Sequence, residues 1–187
     1  MPINGLVVMT PTSIASTGTG NSSSIGANGK VTFSSCATLS LNGVFTSSYD
    51  NYMISYTATR VGTTNDFVVV RLRATGTDAI TNYTYQYLYT DSTTVAAART
   101  TSATYNQPYL YTRETEPLGG PLFVYGPYLS QATAFRSTTM GWNGTNPDTY
   151  DSAATHSTTS SYDGITFLSS GATVRLTGTL TVYGFNQ

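Results

Sequence analysis

The side chains capable of chemistry in this chain are few and scattered. The single histidine, His156, stands in the hydroxyl-rich run A-A-T-H-S-T-T-S-S. A serine–histidine–aspartate relay needs a nucleophile on a tight elbow and a carboxylate that orients the ring. No G-x-S-x-G elbow occurs, and no carboxylate is tied to His156 by spacing. A surface or structural histidine is therefore expected. Asp148 and Asp151 lie close together, as do Glu114 and Glu116. Carboxylate pairs can hydrolyse glycosidic bonds or share a calcium ion. Both pairs fall in proline-containing stretches that read as loops, where acids ordinarily solvate the chain, so neither is expected to be catalytic or to hold metal. Cys36 is the only cysteine, which excludes an internal disulfide and, with one distant histidine, makes no metal set. It reads as a small buried hydrophobe on a strand. T-G-T-G-N before Ser22 lacks the lysine and the following helix of a phosphate loop. No catalytic residue, metal or cofactor is expected. Tyr105, Tyr109, Tyr111, Tyr128 and Trp142 remain as recognition candidates. Such aromatics stack on sugar rings of a surface glycan or pack between subunits, and the second is preferred because interfaces also enrich tyrosine and tryptophan.

Composition points the same way. The chain has 187 residues, enough for one domain with a proper core. Charged residues make up 9% of it, against roughly 25% in ordinary soluble domains. Lys30 is the only lysine, while threonine and serine number 36 and 21. Hydroxyls must therefore solvate the surface, and threonine suits a half-exposed pleated position. Fifteen tyrosines supply large amphipathic area. The formal net charge of −1 lacks the clustered lysine and arginine that phosphate contacts require, so no nucleic-acid partner is expected. So little repulsion favours self-association. No run approaches the roughly 20 apolar residues of a membrane helix, and Leu6 to Met9 is too short for a secretory signal. Neither a membrane nor signal-directed export is expected; release by lysis is one alternative route.

The elements that would hold these residues are strands. Residues 1–29 read as an extended arm and linker: the apolar run Leu6, Val7, Val8 would anchor the arm on another chain, and Gly, Ser, Thr and Asn dominate from Thr17 to Gly29. From Lys30 the pattern has period two. Val31 and Phe33 alternate with Thr32 and Ser34, and Leu39 and Leu41 share a face before an Asn42-Gly43 turn. Met53 to Arg60, Phe67 to Leu72, Leu122 to Tyr125, Gln131 to Gly141, Ile165 to Leu168 and Val174 to Tyr183 read as further strands. Tyr83, Tyr85, Tyr87 and Tyr89 fall on one strand face. Val95 to Ala98 reads as a short turn or helical step, and residues 112–121 and 143–149 as loops. No helix-period stretch and no fixed repeat appears. The expected fold is all-β: an antiparallel β-sandwich, jelly-roll-like, over residues 30–187.

Two segments resemble a known family. V-T-F-S-S-C-A-T-L-S-L-N-G-V-F-T-S-S-Y-D-N-Y-M-I at Val31 to Ile54 is similar to the opening of small jelly-roll domains in virion structural proteins of tailed phages, especially of marine and cyanobacterial hosts. Phe45, Thr46, Ser47, Tyr49, Asp50, Asn51 and Tyr52 carry the F-T-S-x-Y-D-N-Y pattern. The closing pattern is carried by Gly164, Ile165, Phe167, Gly178, Leu180, Val182, Tyr183, Gly184 and Phe185. The resemblance covers both ends of the domain and leaves residues 60–159 unmatched. Y-D-N-Y itself reads as a folding element, because Asp50 and Asn51 suit a tight turn and the tyrosines can pin the strand end.

The resemblance implies a homotrimer in a virion, on the capsid surface or tail, in contact with the major capsid or tail proteins. The first expectation is a non-enzymatic capsid decoration or cement (head knob) protein that bridges neighbouring subunits. The second is a tail-fibre or receptor-binding tip that uses the aromatic loops on a host glycan. The third is a depolymerase.

Overall fold

The computed structural model describes residues 5–61, 67–91, 93–111, 118–142, 147–170 and 175–186. Along the chain these form strands β1 (Val7–Met9), β2 (Ser13–Thr17), β3 (Ser22–Ile25), β4 (Val31–Cys36), β5 (Thr38–Asn42), β6 (Asn51–Val61), β7 (Phe67–Ala74) and β8 (Thr77–Asp78). There follow β9 (Tyr83–Asp91), β10 (Thr94–Ala103), β11 (Asn106–Tyr111), β12 (Leu118–Tyr125), β13 (Thr133–Trp142), β14 (Pro147–His156), β15 (Gly164–Ser169) and β16 (Arg175–Phe185). No helix occurs among the described residues.

Two antiparallel sheets pack as a sandwich. The larger runs β10-β9-β14-β13-β12-β6-β16-β4-β3, with β1 also on β16; the smaller runs β11-β7-β15-β5-β2, with β8 on β7. The alternation expected from the sequence is what fills the space between them. Tyr52, Ile54, Tyr56 and Ala58 of β6 point inward, as do Val31 and Phe33 of β4 and Leu180 and Val182 of β16. They meet Leu39 and Leu41 of β5, Val68, Val70 and Leu72 of β7, and Ile165 and Phe167 of β15. An aromatic column crosses the interface. The rings of Phe33 and Tyr56 stack with centroids 6.1 Å apart, and Tyr56 and Phe167 with centroids 5.7 Å apart and planes 9° from parallel.

The chain ends close the sandwich as expected, and the Y-D-N-Y corner shows how. The Tyr52 hydroxyl accepts the Thr46 N–H at 2.7 Å and lies 2.8 Å and 3.1 Å from the Thr46 and Tyr49 carbonyls. Its ring packs on Phe45 at 4.6 Å. Asp50 accepts the Gly126 N–H through its carbonyl, and its own N–H donates to Asn186. Gly184 is required here: a Cβ on it would stand 2.6 Å from the Tyr49 ring. At the Asn42-Gly43 turn, Gly43 takes a φ of 62°, a backbone shape glycine adopts without strain.

Three expectations are corrected. Residues 7–25 do not form an arm separate from the domain. β1 pairs with β16 (Val8 opposite Tyr183), β2 with β5, and β3 with β4. Serine- and threonine-rich sequence reads as linker, yet it suits edge strands whose outer face is wet. Val7 and Val8 thus lie along the domain's own last strand, Val7 half-buried and Val8 exposed, with exposed Leu6 just before them. Val95 to Ala98 lies in the first half of β10, held by regular pairing to β9 rather than by its alanine-rich local preference. β12 begins at Leu118 and β14 at Pro147, inside stretches that read as loops.

Tyr56 yields a prediction. Its hydroxyl is buried with no hydrogen-bond partner among the described residues, and burial pushes its pKa far upward. Removing an unsatisfied buried polar atom is near neutral or favourable, whereas deleting the ring leaves a cavity. In urea titrations Tyr56→Phe should hold or raise stability, and Tyr56→Ala should cost about 3–5 kcal/mol. A loss above about 1 kcal/mol for Tyr56→Phe would show that the hydroxyl has a partner, such as a trapped water.

Candidate functional site

The titratable residues do not assemble a reaction centre among the described residues. His156 is 1% exposed at the end of β14. Its ring lies 4.5 Å from that of Tyr83 and edge-on to Tyr162 at 5.2 Å, with the Tyr162 hydroxyl 3.3 Å from Nδ1. Burial holds its pKa below the ordinary value, opposed by a backbone hydrogen bond at Thr81. This is an aromatic box that fastens the segment after β14. The Tyr83 hydroxyl completes the junction: it accepts the Leu72 N–H at 2.8 Å and donates to the Ala79 carbonyl at 3.2 Å.

The carboxylate pair separates. Because Asp148 and Asp151 sit three apart on a strand, they face opposite sides. Asp148 is buried on the inner face, and Asp151 is on the outer face, where it accepts from Arg136 at 2.6 Å. Glu114 and Glu116 lie outside the described residues. Cys36 is buried, with its sulfur 3.3 Å from the Ser34 carbonyl, and burial raises its thiol pKa. No group of three or more His, Cys, Asp or Glu suited to a metal ion occurs among the described residues.

Of the aromatic candidates, Tyr105 and Tyr128 have described side chains, and they have different surroundings. Tyr105 is half-buried and stacks on Tyr85 at 6.4 Å, so it belongs to the core edge. Tyr128 is exposed in the turn after β12. Tyr109 and Tyr111 lie on β11 and Trp142 at the end of β13, and their side chains are outside the described set.

The surface that sequence reasoning missed is the outer face of the large sheet. The register sets Val8, Tyr183, Met53, Phe123, Arg136, Ala153, Gln86 and Arg99 in one row across eight strands. Its β12–β16 end is aromatic: Phe123 stacks on Tyr125 at 6.3 Å and meets Phe185 edge-on at 6.4 Å. Its other end is a trough of about 510 Å³, lined by Gln86 and Leu88 of β9, Ala97 and Arg99 of β10, Arg136 of β13, and Asp151 and Ala153 of β14. A depression of about 340 Å³ continues it past Thr84 and Thr155, and one of about 100 Å³ past Thr90 and Val95. Apolar Leu88, Val95 and Met140 are exposed around it. Only the alternation of these strands hinted at such a face, because its members come from strands far apart in sequence.

The fold and this surface define an all-β sandwich with one wide open face. No family model matches the chain, and no curated protein or solved structure matches it.

The buried histidine sets a pH dependence. Its native pKa lies below the unfolded value of about 6.5, so below that pH the unfolded chain binds a proton that the native chain refuses. Stability should fall as pH drops from about 6.5 toward the native pKa. With one histidine in the chain, His156→Asn should flatten the melting-temperature profile between about pH 7 and 5. An equally steep profile in the variant would assign the effect elsewhere.

Proposed function

We propose that this chain is a non-enzymatic phage virion structural protein of the capsid decoration or cement type, acting as a homotrimer that bridges neighbouring capsid subunits. The observation that carries this reading is the open outer face of the large sheet, where Met53, Phe123, Tyr125, Tyr183 and Phe185 gather with little charge. These side chains are half-buried on an open face; partly accessible apolar clusters support a contact surface, and interface centres enrich Tyr, Phe and Met while excluding charge. The fate of the titratable groups agrees: His156 and Cys36 are enclosed, and Asp151 is paired with Arg136.

The resemblance at Val31–Ile54 and Gly164–Phe185 supplies the virion setting, and the strand order supports its jelly-roll component. The sets β12-β6-β16-β4 and β11-β7-β15-β5 face each other. The chain passes between sheets at β4–β5, β5–β6, β6–β7, β11–β12 and β15–β16. This winding supports an eight-stranded jelly roll, with β9–β10 and β13–β14 as insertions that widen the large sheet and β8 as a short addition to the small one. A tail-fibre or receptor-binding tip that recognises a host glycan is the second reading, favoured by the trough rather than by the aromatic loops.

Cosedimentation with particles stripped of this protein tests the first reading. Wild-type protein should bind and raise the temperature at which particles rupture. Phe123→Lys should abolish binding while leaving the circular dichroism spectrum unchanged. Retained binding by Phe123→Lys, or no binding by the wild type, would refute the assignment. A copy number in the hundreds per virion would support decoration, and a dozen or two would move the protein to the tail or a vertex.

A further inference from the structure

We propose that the trough over β9, β13 and β14 binds a linear oligosaccharide that carries carboxylate groups. This rests on the second reading above, and it gives that reading a place and a ligand class.

The shape comes from side-chain size. The outward residues of β14 are Thr149, Asp151, Ala153 and Thr155, all short, and they form a floor. Longer side chains rise on both sides: Arg136 and Met140 from β13, and Gln86, Leu88 and Arg99 from β9 and β10. The main trough shares Gln86, Arg99 and Ala153 with the depression at one end, and Leu88 and Asp151 with that at the other. The whole runs along β9 from Thr84 to Thr90, about 20 Å at roughly 3.3 Å per residue. That suits a chain of a few sugar rings and exceeds what a compact metabolite would fill.

The backbone argues against a peptide. β9, β14 and β13 are each paired on both sides, so the floor offers no free ladder to an added strand. Recognition must come from side-chain groups, and those present suit hydroxyl-rich ligands. The Gln86 amide donates and accepts, and the Arg136–Asp151 pair sets a planar donor beside a planar acceptor. Alanines at 97, 134 and 153 leave flat apolar ground for the C–H face of a ring.

Charge sets the ligand class. Two arginines and one aspartate leave the main trough at +1, in a chain whose net charge is −1. Among the described residues, no hydrogen bond or ion pair holds the side chain of Arg99. The Arg136–Asp151 pair is open to solvent, with side chains 51% and 35% exposed, and exposed pairs contribute little to stability. The Arg99 guanidinium is therefore open to a sugar carboxylate, which it can hold in bidentate fashion, with the solvent-exposed Arg136–Asp151 pair beside it.

The test uses the whole chain with tetragalacturonate as the acidic probe and maltotetraose as its neutral counterpart, read by titration calorimetry. The acidic probe should bind and the neutral one should not, and affinity should fall as salt is raised. Arg99→Ala should weaken binding about tenfold. Ala153→Gln, which fills the floor, should abolish it, with melting temperatures near wild type for both variants. Equal binding of the two probes, or no binding of the acidic one, would overturn the proposal. Labelling of a panel of bacterial surface polysaccharides separates the two levels. If wild type and both variants label it equally, the trough is the wrong site although glycan recognition stands; if wild type labels nothing, glycan recognition falls as well.

Discussion

Everything on the surface of this protein is set by the aromatic column that joins its two sheets. Tyr56 is fully enclosed between Phe33 on its own sheet and Phe167 on the other. Stacked sheets stand about 10 Å apart, and rings of this size span that gap where serine and threonine side chains would not. Because a strand has period two, fixing one inward residue fixes every outward one. Tyr56 inward sets Met53 and Ser55 outward; Leu122 and Val124 inward set Phe123 and Tyr125 outward. The same parity on β14 buries Ser152 and Ala154 and presents Asp151 and Ala153. A slip of one residue would exchange core and outer face.

The wide end of the large sheet is held by another means. There β11 crosses beneath β13 and β14, and their inward serines fasten it: Ser137 donates to the Pro108 carbonyl at 2.5 Å and Ser152 to the Gln107 carbonyl at 3.2 Å. The Tyr85 hydroxyl reaches the Gln107 side chain at 3.2 Å. On the small sheet, Arg73 gathers Asn42, Ser40, Thr166 and Asp78 across three neighbouring strands and the short β8. A chain that is 9% charged thus spends hydroxyls where other domains use ion pairs. Short hydroxyl-bearing side chains also let outer faces come close to a partner without desolvating many charges, a cost that would oppose association.

Much of this fold is legible in the sequence, because on strands such as β4, β6 and β16 the inward positions are mostly apolar and alternate with outward ones. Val31, Phe33, Leu39, Leu41 and the four tyrosines of β9 announce their faces without help from neighbours. Y-D-N-Y is legible as a corner for the same reason: its turn chemistry is local. What is not legible depends on pairing between distant strands. Residues 7–25 look like linker because serine and threonine serve a wet edge strand as well as a coil. Asp148 and Asp151 look like a pair until the backbone is known to be extended. The trough has no motif at all, since Gln86, Arg99, Arg136 and Ala153 become neighbours only when β10, β9, β13 and β14 align. The aromatics at 105, 109, 111, 128 and 142 are conspicuous in sequence, but of the two whose side chains are described, Tyr105 belongs to the core edge and Tyr128 to an exposed turn.

The central claim is that this molecule works by laying the outer face of its large sheet against a partner. Hydroxyl-radical footprinting of the protein, free and within the virion particle proposed for it, measures this directly at side chains. The account predicts that Met53, Phe123, Tyr183 and Phe185 are oxidised in the free protein and shielded in the particle. Equal oxidation of those four residues in both states, with shielding confined to the turn at Tyr128 or to the small sheet, would contradict it.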